Sequence, residues 1–339
     1  MTVFFQGAEM QDFPTVVGTV THQTTAGTFT SANARCSNRT DTSGSEYSHY
    51  LESSAFSSPE FWTHCKFSVG FMGNTPFNFL TWFAGGTQRL ALRQSAASSG
   101  LMQLRRWDGA SWTVLATSGA TYAINTLYVL DIYVKLGNPG SVRVYLGIAG
   151  TPGSSVPIIA EDSLDLSFGG AVTALDKVRW SGQNAGGGAY TYFSECIVAD
   201  WNTIGSKLVA RAPTANGAYS EWSGAGYSAL NELTPAATYM TSGAADQRIS
   251  TVMATFPALG TGERIERVKV AANALRDASG PQKMNIFYRV AGADDHKSDR
   301  ALTVSAANYT EAWDMSPATG TYWTPTELNA SEPGARSRA

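Results

Sequence analysis

Two acidic residues in EDSLDLS, Glu161 and Asp165, stand four apart in a run that reads as a strand, so both carboxylates fall on one face. A retaining glycosidase needs an acid and a nucleophile about 5 Å apart. On one strand that pair is usually delivered by acids at i and i+4 with another acid at i+2, and here the middle position is Ser163. Solvated edge-strand acids are therefore the first reading, and a hydrolytic pair the second.

The aromatic residues offer a different chemistry. Sugar rings present C–H faces that stack on Trp and Tyr, while Asn, Asp, Gln and Arg fix the hydroxyls. RRWDGASW sets Trp107 and Trp112 on either side of the Asp108–Gly109 loop, beside Arg105 and Arg106. WSGQNAGGGAYTY gathers Trp180, Gln183, Asn184, Tyr190 and Tyr192 about a glycine loop. The candidate carbohydrate-binding residues are thus Arg106, Trp107, Asp108, Trp112, Trp180, Gln183, Asn184 and Tyr190. A packing role stands against each aromatic, because Trp at a strand end more often fills core or rim. Asp108 and Asn184 have side chains suited to tight turns.

No other catalytic constellation assembles. GxSxG, HExxH and a phosphate loop are missing, and GSK at Gly205 lacks both the earlier glycine and the trailing hydroxyl residue. His22, His49, His64 and His296 are dispersed; His64 and Cys65 are adjacent, but neighbours on a strand point to opposite faces. Cys36, Cys65 and Cys196 are odd in number and widely spaced, which argues against a disulfide framework and against paired-cysteine zinc. No catalytic residue, metal or cofactor is expected.

These side chains must be held by strands. In FWTHCKFSVGFM, Phe61, Thr63, Cys65, Phe67 and Val69 share one face, and in NTLYVLDIYVKL both rows are largely apolar, as in a strand covered on both sides. GNPG then leads into SVRVYLGIAG to make a hairpin, and LMQLRRWDGASWTVLATSG makes another. The opening MTVFFQGAEM lacks a basic n-region and a long apolar stretch, so it reads as a native first strand rather than a secretory signal. Many strands, glycine-rich turns and little helical periodicity argue for a sandwich over residues 1–202, with a second β-rich block over 203–339. In that block QRISTVMATFP is a strand. ERIERVKVAANALRDASG fits a helix or a strand, and a hairpin with MNIFYRV uses both runs. Thr324, Pro325, Thr326 and Glu327 fit a capping box that opens one turn of helix, with Trp323 and Leu328 as its anchors.

Composition narrows the function classes. Charged residues make up 15% of the 339 residues against a usual value of about 25%, and hydroxyl and amide residues replace them. The net charge of −3 gives no basic stripe for nucleic acid. No apolar run approaches the roughly 18 residues that a membrane helix requires.

The closing stretch YTEAWDMSPATGTYWTPTELNASEPGARS resembles the C-terminal signature of a family of tailed-phage, prophage and gene-transfer-agent virion proteins. Its W-x-x-x-P-x-T-G-x-x-W-T pattern is matched by Trp313, Pro317, Thr319, Gly320, Trp323 and Thr324, and its linking segment by Asp200, Gly205, Pro213, Gly217 and Trp222. The family often ends in F/L-G-V; here Pro333 and Gly334 lead into a polar tail, which sets the last strand apart from the pattern. The resemblance covers about the last 145 residues, by motif order. It implies an all-β chain: a concanavalin-A-like jelly roll, then a smaller C-terminal β-sandwich closed by a short helix. It also implies a homo-oligomeric tail fibre or capsid spike on the virion surface, assembled in the bacterial cytoplasm among capsid or tail proteins and contacting host polysaccharide without cutting it. A purely structural virion component and a capsule depolymerase using Glu161 and Asp165 are the alternatives. Glucanases of the lectin fold carry Glu-x-Asp-x-x-Glu or Glu-x-Asp-x-Glu, and neither occurs here.

Overall fold

The computed structural model describes residues 1–339 apart from 8–11, 19, 23–37, 42–48, 71–75, 96–99, 150–154, 182–189 and 232–237. Contacts divide the chain into Met1–Ala210 and Arg211–Ala339. The first unit is a jelly-roll sandwich; the second is a smaller β-sandwich that carries one short helix.

Two antiparallel sheets face each other in the first unit. Among the described residues, one sheet runs Ile159–Leu164, Gly140–Ile148, Tyr128–Lys135, Glu60–Val69, Tyr190–Ala199, Asn38–Asp41 and Val20–His22, with Val3–Gly7 also paired to Tyr190–Ala199. The other runs Trp112–Thr121, Leu101–Trp107, Thr87–Gln94, Asn78–Ala84, Lys177–Ser181, Tyr50–Glu52 and Thr15–Val17. Side-chain period two sorts the residues. Phe61, Thr63, Cys65, Phe67 and Val69 all point inward and are buried. Ile132 lies opposite Thr63 and Leu130 opposite Cys65, which continues that layer. Leu80, Trp82, Leu90, Leu92 and Trp180 fill the core from the facing sheet. The Trp82 indole N–H donates to Thr63 Oγ1 across the layers at 3.1 Å, so the buried donor is satisfied.

Both hairpins form as their turn residues require. At Gly140 a Cβ would sit 2.8 Å from the Lys135 carbonyl oxygen and 2.9 Å from Leu166 Cβ, so the hairpin closes only around glycine there. Residues just past Asn202 still belong to this unit. Thr203 Oγ1 donates to Asp131 Oδ1 at 2.7 Å, the Leu208 amide donates to Glu195 Oε2 at 3.2 Å, and Trp201 and Leu208 pack on Val3, Ile197 and Ala199. This segment covers part of the outer row of the eight-stranded sheet.

In the second unit Pro213–Ser220, Arg248–Met253, Glu332–Arg338, Lys283–Val290 and Ala293–His296 form one sheet, with Arg300–Ala301 also on Lys283–Val290. Val268–Ala274 is a strand, as one of its two readings had it, but its partner is Ala307–Trp313 and not MNIFYRV. The SGPQ bend carries the chain from one sheet to the other instead of folding it back in place. Met284, Ile286, Tyr288 and Val290 face Val268, Val270, Ala272 and Ala274 in a shared core.

The tryptophan motif is part of that core. The Tyr288 ring lies 5.4 Å from Trp313 and 5.1 Å from Trp323, whose indole N–H donates to the Trp313 carbonyl at 3.3 Å. Gly320 takes a φ of +66° in the turn between the two tryptophans, a conformation that favours glycine. The helix spans Pro325–Asn329, and the Glu327 amide donates to Thr324 Oγ1 at 3.2 Å. The reciprocal half of the capping box is replaced, because the Glu327 carboxylate accepts from Ser316 Oγ. Trp323 and Leu328 are buried as anchors. The polar ending also forms a strand, Glu332–Arg338, between Arg248–Met253 and Lys283–Val290. Its inward positions are Pro333, Ala335 and Ser337, and the arginines alternate to the other side, so low hydrophobicity conceals a regular strand.

Candidate functional site

The Asp108 hairpin brings two of the candidate residues together. Trp107 lies directly opposite Trp112, and the rings meet edge to face at 5.3 Å. The Arg105 guanidinium lies 5.1 Å from the Trp112 ring centre. Asp108 makes the turn: its carboxylate accepts from the amides of Ala110 and Ser111 at 2.8 and 2.7 Å and from Ser111 Oγ at 3.0 Å. Those bonds, the Ser111 amide first, hold its pKa below the usual aspartate value. Gly109, at φ +106°, completes the loop. Asp108 therefore positions the tryptophan pair, and its oxygens are already engaged.

Three other expectations change. Arg106 alternates to the opposite side of its strand, where Nη1 donates to the Asp165 carbonyl at 2.6 Å, so it does not join the tryptophans. Trp180 is fully buried, with its ring 5.7 Å from Phe5 and 5.8 Å from Phe13, and it packs the core instead of meeting a sugar. Asp165 lies past the end of the Ile159–Leu164 strand and does not form a pair with Glu161 along one strand face. Its carboxylate accepts from Ser167 Oγ at 2.6 Å and the Ser167 amide at 3.1 Å; these bonds, with Arg106 nearby, keep it ionised below the usual range. Gln183 and Asn184 lie outside the described residues, and Tyr190 is placed only by its backbone pairing with Asp41.

The tryptophan pair belongs to a larger surface, the outer face of the seven-stranded sheet. Register sets one row across six strands: Val114 opposite Arg105, Arg105 opposite Ala91, Ala91 opposite Thr81, Thr81 opposite Arg179, and Arg179 opposite Glu52. Arg105 and Arg179 are thus three strand spacings apart, about 14 Å, with the fully buried Ala91 and Thr81 between them. The next row holds Thr117, Gln103, Arg93 and Asn78. There Arg93 Nε donates to Gln103 Oε1 at 3.1 Å, and Gln103 Nε2 donates to Thr117 Oγ1 at 3.4 Å. At the far side Arg179 lies 3.8 Å from the Tyr50 ring centre and 4.4 Å from that of Phe83. Glu52 accepts from Arg179 Nη2 at 2.8 Å and from Lys177 Nζ at 3.1 Å. The Thr81 and Ser181 hydroxyls are buried on this face without a hydrogen-bond partner in the protein.

On the opposite sheet three charged pairs close within the chain. His64 Nδ1 and Asp131 Oδ1 are 2.8 Å apart, Lys66 meets Glu195 at 2.6 Å, and Arg143 meets Asp162 at 2.7 Å. Trp62 with Tyr133 and Tyr145 forms a second aromatic group there. Among the described residues no cluster of three His, Cys, Asp or Glu side chains is placed to hold a metal ion.

This is a β-sandwich with a polar, arginine- and aromatic-lined sheet face. No family model and no curated protein matches the chain. Among solved structures it is similar to endo-β-1,4-glucuronan lyase from the fungus Trichoderma reesei, at 10% identity over 59% of this chain and 96% of that one, with a TM-score of 0.44. It is also similar to the binding domain of botulinum neurotoxin DC in complex with rat synaptotagmin II, at 8% identity over 83% and 67%, with a TM-score of 0.40. A third is the carbohydrate-binding module CBM66 from Bacillus subtilis, at 14% identity over 48% and 86%, with a TM-score of 0.31.

Proposed function

We propose that the chain is a non-catalytic virion surface protein, of tail-fibre or capsid-spike type, whose first unit holds a host-cell polysaccharide on the outer face of the seven-stranded sheet. The observation that carries this is the register-aligned row from Arg105 across Ala91 and Thr81 to Arg179, flanked by the Trp107–Trp112 pair. Ala91 and Thr81 are fully buried beneath the row, the guanidinium groups supply fixed donors, and the tryptophans supply a stacking edge. Placement on a virion is supported by the Trp313-to-Thr324 resemblance. Homo-oligomers repeat a weak site and raise its effective concentration, which turns modest affinity into firm attachment.

Binding without cleavage is supported by how the acids are used. Glu52 neutralises Lys177 and Arg179, Glu195 neutralises Lys66, and Asp108 and Asp165 cap turns. A purely structural virion role is the second reading, favoured by the burial of Trp313 and Trp323 as core. Affinity electrophoresis of the oligomer through gels containing host polysaccharide separates the two. Retardation with no shortening of the polymer is expected. Release of reducing or unsaturated ends would overturn the non-catalytic assignment, and unretarded migration would favour the structural role.

A further inference from the structure

We infer that the polysaccharide is acidic, its carboxylates read by guanidinium groups on the seven-stranded sheet; this rests on the binding role proposed above. The outward positions of the strands that build this face carry Arg93, Arg105, Lys177 and Arg179 but, among the described residues, one carboxylate, Glu52. The whole chain has a net charge of −3, so this cationic surplus is local to the face. On the other sheet Lys66 and Arg143 each meet an acid of their own, and among the described residues no comparable surplus arises.

The guanidinium groups are also oriented in advance. Arg179 is held against the Tyr50 and Phe83 rings, and Glu52 takes its Nε and Nη2, which leaves Nη1 for a ligand. Arg93 is fixed through Nε by the neutral Gln103, so its charge is not cancelled there and both terminal nitrogens remain. A planar fork held this way matches a carboxylate geometrically and loses little side-chain freedom on binding. The Thr81 and Ser181 hydroxyls lie on the same face, buried and unpartnered. A neutral glycan would leave the surplus charge uncompensated, whereas a polymer bearing a carboxylate at regular intervals would neutralise it along the row.

The test uses the assembled full chain against hyaluronan, alginate and polygalacturonate, each in native and carboxyl-reduced form, with dextran as a neutral polymer. Retardation by at least one native acid, weakened tenfold or more by carboxyl reduction and by added salt, is the expected result. Arg93→Gln and Arg105→Gln should each weaken that binding about tenfold. Arg143→Gln, on the opposite sheet, should leave it unchanged. Equal retardation by the reduced polymers, or binding of dextran alone, would overturn the acidic assignment and leave polysaccharide binding standing. Failure to bind any polymer in the set would count against the binding role itself.

Discussion

Replacing Glu52 by Gln separates stability from binding, because the two should move in opposite directions. Glu52 is 5% exposed and is the acceptor for Lys177 and for two nitrogens of Arg179. Glutamine keeps one acceptor oxygen but removes the charge. Hydrogen bonds to charged groups contribute about 1.5–3 kcal/mol each. Lys177 is 40% exposed, so water screens much of its share. A net loss of about 2 kcal/mol follows, equivalent to a fall of about 4–8 °C in the Tm of a unit this size. Arg179 should keep its place, since the Tyr50 and Phe83 rings hold it independently of Glu52. The same substitution removes the one carboxylate that the described residues place on the face. At about 8 Å and an effective dielectric of about 40, that repulsion is worth about 1 kcal/mol to an anionic ligand, or roughly fivefold in affinity. Calorimetry of the full chain reads the first effect, and retardation by an acidic polymer reads the second. An unchanged Tm together with weaker binding would refute the reasoning on both counts.

Two further outcomes are fixed by the site. Trp180→Ala should cost about 3–5 kcal/mol as a core deletion and lower the Tm by about 10–15 °C, whereas the half-buried Trp107→Ala should cost about 1 kcal/mol yet weaken polysaccharide binding; the reverse pattern in calorimetry and binding would restore Trp180 as a ligand contact. Asp108 has a folded-state pKa below its unfolded value, so its carboxylate contributes stability above the unfolded pKa and loses it as pH falls through the folded one. The near-UV circular dichroism of the Trp107–Trp112 pair should therefore persist through the ordinary aspartate range and fade only below it, while Asp108→Asn should remove that titration.

The layers of both units are readable from alternation, because Phe61 through Val69 and Met284 through Val290 are short-range patterns that burial enforces directly. Strand partners are less readable. Val268–Ala274 reads as a possible strand on its own residues, but its pairing with Ala307–Trp313 is decided by which sheet completes the core, and no local signal carries that. Glu332–Arg338 is obscured because three of its seven positions are arginine or glycine; the alternation of Pro333, Ala335 and Ser337 was the available clue. Aromatic identity picked out Trp107 and Trp112, which the structure pairs on the outer sheet face, together with Trp180, which it buries, since residue type does not reveal which face of a strand is core. The arginine row lay beyond sequence reasoning for a geometric reason. Arg105, Ala91, Thr81 and Arg179 become neighbours only through the register of four strands drawn from distant parts of the chain. The alternation of Gln103, Arg105 and Trp107 was its one local trace.

Oxidative footprinting of the assembled protein, with and without a bound acidic polysaccharide, tests the central claim most directly because each sheet carries its own aromatic reporters. Trp107, Trp112 and Tyr50 should be protected by the polymer, while Trp62, Tyr133 and Tyr145 should oxidise at unchanged rates. Protection of the Trp62 group with continued oxidation of Trp107 and Trp112 would contradict the account.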